Sequence, residues 1–379
     1  MTDFKQQAEA RLADIEPELV ELSRWMYDNP EIAMEEHEAS ARIAAMLGSH
    51  GLDVEYPAYG METAFVARAG SDGPEVIICA EYDALPKVGH ACGHNIIATS
   101  AIGAGVSLAG LAEDLGVRVT VLGTPAEEGH GGKVDLINAG AFAGASAAMM
   151  VHPAPVDELV PNILAVVHVD IDFHGKDSHA AFAPQLGRNA LDAFVQAYVN
   201  ISTLRQHILP TDRIHGIITH GGDAPNIVPS HTASSWYVRS QTKEQLDELV
   251  ERVMNCFAAA ATATGCTWES KPMGNSTSDM VTSQVMAELF ATNSAAIGRP
   301  MPTDDDRPPG GSTDMGNVSH VVPTIHPMLA IDCGDSVNHQ PEFAAATVTP
   351  SGEKAIHDGA LAMAWTIVDL ATNDRWSEL

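Results

Sequence analysis

The spacing of apolar residues changes twice along the chain, and the changes divide the sequence into three stretches. In the first stretch, residues 4–28 repeat apolar positions at helical spacing and predict an amphipathic helix that ends before Pro30. Short apolar runs predict strands at 54–69, 74–80, 117–123 and 145–151, with helices at 95–112 and 133–139 between them. Strands that alternate with helices at this spacing are typical of an αβα layer with a mostly parallel central sheet.

The second stretch starts near Leu164, where the period becomes two. Residues 166–173 alternate apolar and polar positions, as a strand with one solvated face does. The elements predicted after it are a helix at 189–207, strands at 214–220 and 233–239, a helix at 242–264 and a strand at 267–270. This β-α-β-β-α-β order is that of a ferredoxin-like α+β domain. From about Ser278 the first pattern returns, so we expect a domain at 166–278 inserted into an α/β domain built from 1–165 and 279–379.

The composition is strongly acidic, and the acidity is spread along the chain. The 379 residues include 50 acidic and 20 basic ones, which gives a formal net charge of −30. Such a field repels nucleic acids and anionic membranes, so neither is expected as a partner. Two hypotheses explain the charge equally well: a surface adapted to high salt, where screening relieves self-repulsion, or an ordinary acidic bacterial enzyme.

The cysteines and the longest apolar runs indicate the cellular compartment of the protein. Five cysteines are an odd number, and their spacing is irregular, which favours a reducing compartment. Residues 1–19 are polar and lack the apolar centre of a signal peptide. No apolar run approaches the roughly 20 residues of a membrane span. We therefore expect a cytoplasmic protein with no membrane segment.

A dense group of metal-binding residue types follows the predicted strand at 74–80. Two carboxylates, two imidazoles and a thiol fall within fourteen positions, at Glu81, Asp83, His90, Cys92 and His94. Cys92 and His94 flank a glycine, which lets both side chains converge on one ion. In an open α/β sheet, ligands bind beyond the carboxyl ends of the strands, so this is the expected place for a site.

Residues of the same chemical types occur further along the chain. Glu127 and Glu128 are adjacent, so one can bind a metal while the other accepts a proton, and His152 and His339 lie at a predicted strand end and in a predicted loop. A hydrolytic metal site needs ligands from several elements, an open position for water and a nearby carboxylate. Each residue alone is a weak signal, because a single histidine is usually structural. Their joint occurrence at strand ends favours a metal site.

The chain also resembles a known family, through motifs that run over nearly its full length. The motifs are Asn29-Pro30-Glu31, Glu35-Glu36-His37, Glu81-Tyr82-Asp83-Ala84-Leu85-Pro86, Gly89-His90-Ala91-Cys92-Gly93-His94-Asn95, Gly123-Thr124-Pro125-Ala126-Glu127-Glu128-Gly129, His152-Pro153, Gly175-Lys176-Asp177-Ser178-His179-Ala180-Ala181, Asn226-Ile227-Val228-Pro229 and Gly311-Ser312-Thr313-Asp314. They are similar to those of the co-catalytic metallopeptidases of the aminoacylase and glutamate carboxypeptidase family. The most similar branch contains p-aminobenzoyl-glutamate hydrolases, indole-acetyl-amino-acid hydrolases and β-alanyl-lysine dipeptidase.

The resemblance implies a centre that holds two divalent metal ions, Zn²⁺ or Mn²⁺. The implied ligands are Cys92, which would bridge the ions, and His94, Glu128, His152 and His339. Glu127 would be the general base that deprotonates the attacking water and then protonates the departing amine. Asp83 would steady one of the ligands. At Glu81 the chain departs from the aminoacylase side of the family, which has a metal-binding histidine there, and His94 is expected to replace it.

The inserted domain resembles the lid and dimerisation module of the family, which implies a homodimer. His179 resembles the lid histidine that reaches the active site of the partner subunit and stabilises the oxyanion. Asn226 would help to hold the substrate, and Arg239 would grip a substrate carboxylate. Residues of the lid and loops are expected to select the acyl and amine groups, among them Tyr59, Met61, His130 and the 304–309 loop.

The function predicted from these observations is metal-dependent hydrolysis of the amide bond of a small N-acyl amino acid, aminoacyl-glutamate or dipeptide. Two alternatives stay open. In the first, Cys92 is the nucleophile of a thiol-dependent amidase. In the second, the chain is a dimeric small-molecule binder that keeps the fold without turnover. The presence of Glu127 argues against a binder, because binding alone needs no base.

Overall fold

The computed structural model describes residues 2–302 and 311–379, so the 304–309 loop lies outside the described residues. The chain forms two compact units. The first takes in the chain up to Asn162 and again from Met280, and the second takes in Ile163–Asp279 with a short segment that ends at Thr313. Within the described ranges, no helix is both long and apolar enough to cross a membrane.

The secondary structure follows the predicted alternation of strands and helices. The α-helices are α1 (Thr2–Asp28), α2 (His37–Ser49), α3 (His94–Ala109), α4 (Ala112–Leu115), α5 (Gly132–Asn138), α6 (Ala190–Leu204), α7 (Lys243–Thr264), α8 (Gln284–Ala296), α9 (Met315–Ser319), α10 (Pro341–Ala346) and α11 (Pro350–Thr372). The strands are β1 (Asp53–Glu55), β2 (Val66–Ala69), β3 (Glu75–Ala80), β4 (Arg118–Gly123), β5 (Ala147–Met149), β6 (His152–Ala154), β7 (Ala165–His174), β8 (Arg213–His220), β9 (His231–Ser240), β10 (Thr267–Pro272), β11 (Thr324–Ile325) and β12 (Met328–Ala330). Short 3₁₀ helices lie at Pro184–Leu186, Arg205–His207 and Arg375–Glu378.

The first unit is built on a six-stranded sheet in the order β1-β2-β4-β3-β5-β11. Strand β3 pairs in parallel with β4 and β5, and β11 pairs in parallel with β5. Strands β1 and β2 add an antiparallel edge, and β6 and β12 form a separate parallel pair. This sheet confirms the predicted α/β class, in which the parallel strands bring their carboxyl ends to one edge.

The predicted continuous strand at 54–69 is wrong in its middle. The segment between β1 and β2 consists of turns and a bridge. Pro57 has no N–H group for a strand ladder, and Tyr59 and Gly60 take positive φ angles of 54° and 75°. Apolar residues of this segment, such as Ala58 and Ala64, are buried although the segment forms turns and not a continuous strand.

Helix α3 is buried along nearly its whole length and packs on β3 and against helices α1 and α11. Small side chains allow this close approach. A Cβ atom at Gly103 would lie 2.8 Å from the Cβ atom of Ala360 and 3.0 Å from methyl groups of Leu12 and Leu19. Dense packing of this kind leaves little room for adjustment, so it fixes the first residue of α3, His94, beyond the end of β3.

The second unit is an antiparallel four-stranded sheet in the order β10-β7-β9-β8, with α6 and α7 packed on one face. This arrangement confirms the predicted ferredoxin-like domain. Alternate residues of β7 and β9, such as Phe173 and Trp236, are buried beneath the helices. The residues between them form the opposite face, which is polar and partly exposed. We call it the polar face and define it by Asp172, His174, His231 and Tyr237 with their cross-strand neighbours.

Candidate active site

The segments that follow β3 and β4 lie side by side, since Ala80 is opposite Gly123 in the parallel pair. The first carries Cys92 and His94, and the second carries the two adjacent glutamates. Gly93 brings the first segment against the start of β6. Its φ angle is 86°, and a Cβ atom there would lie 2.3 Å from Cγ of Pro153. Only glycine tolerates both conditions, so this position sets the approach of the thiol and imidazoles.

The structure brings together the five side chains that the resemblance implied as ligands. Cys92, His94 and His152 have potential ligand atoms that all lie within 4.8 Å of one another, and so do Cys92, Glu128 and His339. Cys92 belongs to both groups, and its sulfur lies 3.4 Å from Nε2 of His152. A thiolate shared between two groups of this kind can bridge two cations.

Hydrogen bonds fix the orientation of two of these imidazoles. Asp83 Oδ1 lies 3.0 Å from Nδ1 of His94, and its Oδ2 accepts a hydrogen bond of 2.9 Å from the backbone N–H of Glu128. Nδ1 of His152 lies 2.8 Å from the carbonyl oxygen of Pro153, to which it donates. Both rings therefore direct Nε2 toward the site, as metal-binding histidines do. Burial lowers the pKa of His152 to about 4, which keeps this ring neutral.

The donor atoms that point into the site fit a pair of cations. Nε2 of His94 lies 3.4 Å from Oε2 of Glu81, and Oε1 of Glu128 lies 3.4 Å from Nε2 of His339, but among the residues that the structure describes these three buried atoms have no hydrogen-bond partner with good geometry. Buried polar atoms are costly to leave unsatisfied, so a group of them facing one space indicates a missing partner. Thiolate, imidazole and carboxylate donors together suit zinc and also accept manganese.

Glu127 lies at the edge of this group, with its Oε2 4.0 Å from Nε2 of His94. Burial raises the pKa of its carboxyl group well above the usual range, and the nearby carboxylates of Glu81, Glu128 and Asp314 raise it further. A carboxyl group with a raised pKa can both take up and release a proton near neutral pH. The position and the pKa of Glu127 therefore suit an acid–base group.

The turn that presents Glu127 is held by a residue to which the sequence analysis assigned no role. Ala126 has a φ angle of 59°, in the left-handed region that few residues other than glycine occupy. Its N–H group donates a hydrogen bond of 2.9 Å to Oε1 of Glu36, which is fully buried. Burial raises the pKa of Glu36 to about 7, and the charge of Asp83 adds to the effect. Glu36 thus stabilises a strained turn directly before the candidate base.

A buried ion pair flanks the group on its other side. Lys133 is fully buried, and its Nζ atom contacts Oε1 of Glu81 and lies 2.6 Å from Oδ1 of Asp314. Although burial opposes ionisation, the charge of Lys133 holds the pKa of Glu81 down at about 2. The departure at Glu81 now has a structural explanation: this position pairs with an internal ammonium group. The available signal for this pair was a lysine placed directly between a glycine pair and a valine.

His326 is a further site residue that the sequence analysis missed. It follows β11 directly, as His152 closely follows β5, and both histidines precede a proline. Its ring lies 5.5 Å from that of His152, and burial lowers its pKa to about 3. Within the described part of the chain, neither of its ring nitrogens has a hydrogen-bond partner. The repeated His-Pro pair was the available signal. Strand β11 is only two residues long, so no strand was predicted before His326.

His179 and Asn226 lie together in the second unit, where Ala180 N–H donates a 3.0 Å hydrogen bond to the carbonyl oxygen of Asn226. The backbone N–H groups of Ala181 and Phe182 point at Nδ1 of His179, at 3.3 and 3.1 Å. These contacts make Nδ1 an acceptor and place the proton on Nε2. The exposed ring is therefore a hydrogen-bond donor, which is the property that an oxyanion requires.

Arg239 is not near those two residues. The loop of His179 is tied to the start of β9, because Gly175 N–H donates to the carbonyl oxygen of Ser230. Arg239 lies near the other end of β9, opposite Arg213. Eight residues of strand separate it from His231, a span of roughly 26 Å. The three predicted substrate contacts therefore form two separate groups on this unit.

The residues expected to select the substrate have local partners. Tyr59 and Met61 pack against an apolar cluster of the first unit, and the hydroxyl of Tyr59 accepts a 3.2 Å hydrogen bond from Arg68. His130 Nε2 lies 2.8 Å from Oδ2 of Asp135. Their role in selecting the substrate stays a prediction.

Known proteins are similar to this chain over most of its length. A family described as the peptidase dimerisation domain matches residues 165–264. The Xaa-Arg dipeptidase of Mus musculus is 37% identical over 97% of this chain and 89% of its own length. The Xaa-Arg dipeptidase of Homo sapiens is 38% identical over 92% of this chain and 84% of its own length. A Bacillus subtilis structure described as a dinuclear metal binding peptidase of the M20 family superposes with a TM-score of 0.73 at 21% identity, covering 95% of this chain and 99% of that one.

Proposed function

The chain belongs to the M20 family of peptidases, as the resemblance predicted, and from that premise we propose that it hydrolyses the amide bond of a small dipeptide or N-acyl amino acid. The single observation that carries this proposal is the convergence of Cys92, His94, Glu128, His152 and His339 beside Glu127. A carboxyl group with a raised pKa next to five potential ligands is a hydrolytic arrangement. A structural metal site and a non-catalytic small-molecule binder do not need an acid–base group beside the metal ligands.

We assign one cation to Cys92, His94 and His152 and the other to Cys92, Glu128 and His339. When bound, two divalent ions, zinc or manganese, supply positive charge that polarises the amide carbonyl and lowers the pKa of water. Asp83 holds His94 and the backbone of Glu128 in place, so the two groups keep a fixed separation. The protein pre-positions these donors before substrate binds.

In our proposal Glu127 moves the proton. It accepts a proton from the water that attacks the amide carbon, and then donates this proton to the nitrogen of the departing amine. The neighbouring carboxylates favour this cycle, since they raise the affinity of Glu127 for the proton that it must carry. The ammonium group of Lys133 offsets one of the two negative charges of Glu81 and Asp314, which limits the negative charge around the base.

We propose that the working form is a homodimer that assembles through the second unit and that His179 acts in the active site of the partner subunit. Helix α6 exposes Val195, Tyr198 and Val199, and strand β8, which ends the sheet order, exposes Ile217 and Ile218. Exposed apolar residues grouped on one domain favour association. The Nε2–H group of His179 would donate to the oxyanion of the tetrahedral intermediate. The free cysteines fit a reducing cytoplasm.

For the substrate, we propose a dipeptide whose C-terminal residue is basic. The relatives include an Xaa-Arg dipeptidase, and a chain with a net charge of −30 attracts cationic substrates. The test is a hydrolysis assay of the metal-loaded protein on Xaa-Arg and Xaa-Lys dipeptides, N-acyl amino acids and aminobenzoyl-glutamate. Preferential cleavage of the basic dipeptides supports the assignment, and preferential cleavage of aminobenzoyl-glutamate overturns it.

The thiol mechanism is the second candidate, because Cys92 Sγ lies 3.4 Å from Nε2 of His152. Burial and the charge of Glu128 raise the pKa of the Cys92 thiol, whereas a nucleophilic cysteine needs a lowered pKa. A chelator distinguishes the two. Loss of activity on chelation, with recovery on adding zinc or manganese, supports the metal mechanism. Full activity after chelation, abolished by a thiol alkylator, supports the nucleophile.

A further inference from the structure

A second group of metal-binding side chains lies on the polar face of the second unit. Asp172 and His174 are two residues apart on β7, so both point to the same face, and His174 is directly opposite His231 on β9. The potential ligand atoms of these three residues all lie within 4.8 Å of one another. A residue pair at i and i+2 with a cross-strand partner is a geometry that can hold one ion between two paired strands.

A third imidazole, that of His220, reaches the same place because of an irregularity in β8. Regular pairing continued from Ile218 opposite Ser234 would put Thr219 opposite Ala233 and turn His220 toward the helices. Instead, the register shifts by one residue, and His220 lies opposite Ala233 on the polar face. Its ring then stacks on that of His231, with centroids 5.2 Å apart. Bulges commonly redirect a side chain in this way.

We infer that Asp172, His174 and His231, with His220 beside them, form a binding site for a divalent transition metal ion such as zinc. We call these four residues the lid cluster. Two imidazoles and a carboxylate are a donor set that zinc accepts, and tetrahedral zinc separates its ligand atoms by about 3.3 Å. Oδ1 of Asp172 already lies 2.6 Å from Nε2 of His231, and the rings of His174 and His231 are nearly parallel with centroids 5.1 Å apart. Small rotations of these partly exposed side chains would replace the hydrogen bond between Asp172 and His231 by bonds of both side chains to one ion and bring His174 to the same spacing.

The charges around the lid cluster are compatible with a cation. Lys271 lies 3.6 Å from Oδ2 of Asp172, which leaves Oδ1 for the ion, and the side chain of this lysine is 61% exposed and free to turn into solvent. Glu269 lies 3.3 Å from Nε2 of His174 and offsets the charge of Lys271. The bound ion would link β7 to β9, and the stacking of the His220 ring on that of His231 would connect β8 to the same site. Its effect would be to stabilise the second unit, independently of the chemistry in the first.

The test counts zinc ions bound by the full-length chain. Metal-free protein is titrated with zinc in competition with a chromophoric chelator at micromolar free zinc. The His174→Ala, His231→Ala double variant should bind one equivalent fewer than wild type. A His215→Ala variant, which removes an exposed histidine from β8 outside the lid cluster, should bind as many as wild type. Equal stoichiometry in the double variant and wild type would overturn the inference.

Two further measurements separate this site from the proposed active site and from misfolding. In a Cys92→Ser, His152→Ala background, the lid-cluster equivalent should persist and should disappear when His174 and His231 are also replaced. Asp172→Asn preserves side-chain shape and should weaken binding of that equivalent at least tenfold. If the double variant does not fold, unchanged zinc affinity in Asp172→Asn refutes the site. Zinc bound only above micromolar concentrations by wild type also refutes it.

Discussion

The two candidate metal-binding clusters of this protein contain similar residue types in opposite surroundings. In the first unit, His94 is completely buried and its Nδ1 is held by Asp83, which also binds the backbone of Glu128. In the second unit, the side chain of His174 is 46% exposed, and its Nε2 lies 3.3 Å from the exposed Glu269. The first arrangement is preorganised, and the second must adjust its side chains to bind. A catalytic centre is thus distinguished by the residues that hold the donors more than by the donors themselves.

The largest expected effect is on turnover and comes from the proposed general base Glu127, because only the first cluster has such a group. Glu127→Gln is expected to lower kcat by roughly 10²–10⁴-fold, since the amide cannot accept a proton. Metal stoichiometry should not change. The matched control is Glu248→Gln, an exposed position on α7, which should keep wild-type turnover. Near-normal kcat in Glu127→Gln would refute the assigned role.

The buried ion pair of Lys133, beside the first cluster, should contribute more to the free energy of unfolding than an exposed ion pair in the second unit. Lys133→Met leaves Glu81 and Asp314 buried without their counter-charge, and we expect the free energy of unfolding to fall by about 3–5 kcal/mol. Lys243→Met removes a partly exposed lysine that pairs with Asp247, and it should cost less than about 1 kcal/mol. Urea denaturation of the metal-free variants measures both changes. Similar losses for the two variants would contradict the prediction.

Glu36 should make stability depend on pH. Its pKa is about 7 in the folded protein against an ordinary value of 4.5, so the folded state binds this proton more tightly than the unfolded state. The free energy of unfolding should therefore fall as pH rises from about 4.5 to 7, by about 3 kcal/mol in total. Glu36→Gln should remove this slope, and Glu35→Gln, at the exposed neighbouring position, should retain it. If the pH dependence of the free energy of unfolding persists in Glu36→Gln, other titrating groups cause it.

The smallest expected effect concerns the carboxylates that support each cluster. Asp83→Asn should lower metal affinity at the active site by about 10–100-fold, because it weakens the hold on His94. The zinc equivalent of the lid cluster should be unaffected. Asp172→Asn should show the reverse pattern. If either substitution weakened both equivalents, the two clusters would not be independent.

The sequence predicted the fold class, the inserted domain and the segments that carry the candidate ligands, because hydrophobic period and motif spacing are local properties. Cys92 and His94 needed only their flanking glycine and the preceding strand to be noticed. Lys133, Glu36 and His326 were missed because their importance depends on neighbours far along the chain: Asp314, the turn at Ala126 and the ring of His152. Burial of a charged residue cannot be read from local pattern alone.

The same limit applies to the second unit. Period-two alternation predicted the polar face, but the shift in register after Ile218 could not be predicted, since it depends on how β8 meets β9. The separation of Arg239 from His179 and Asn226 likewise depends on the length of β9. The spacing of thirteen residues between Asn226 and Arg239 contains no information on where the chain turns.

The position of the insertion has a consequence for biosynthesis. The ribosome makes Cys92, His94, Glu128 and His152 before the second unit, but His339 only after it. Domains generally fold as units while the chain emerges. The nascent first unit therefore lacks His339 while more than a hundred residues of the second unit are translated. The group of five candidate ligands can therefore be completed only after the second unit has been translated.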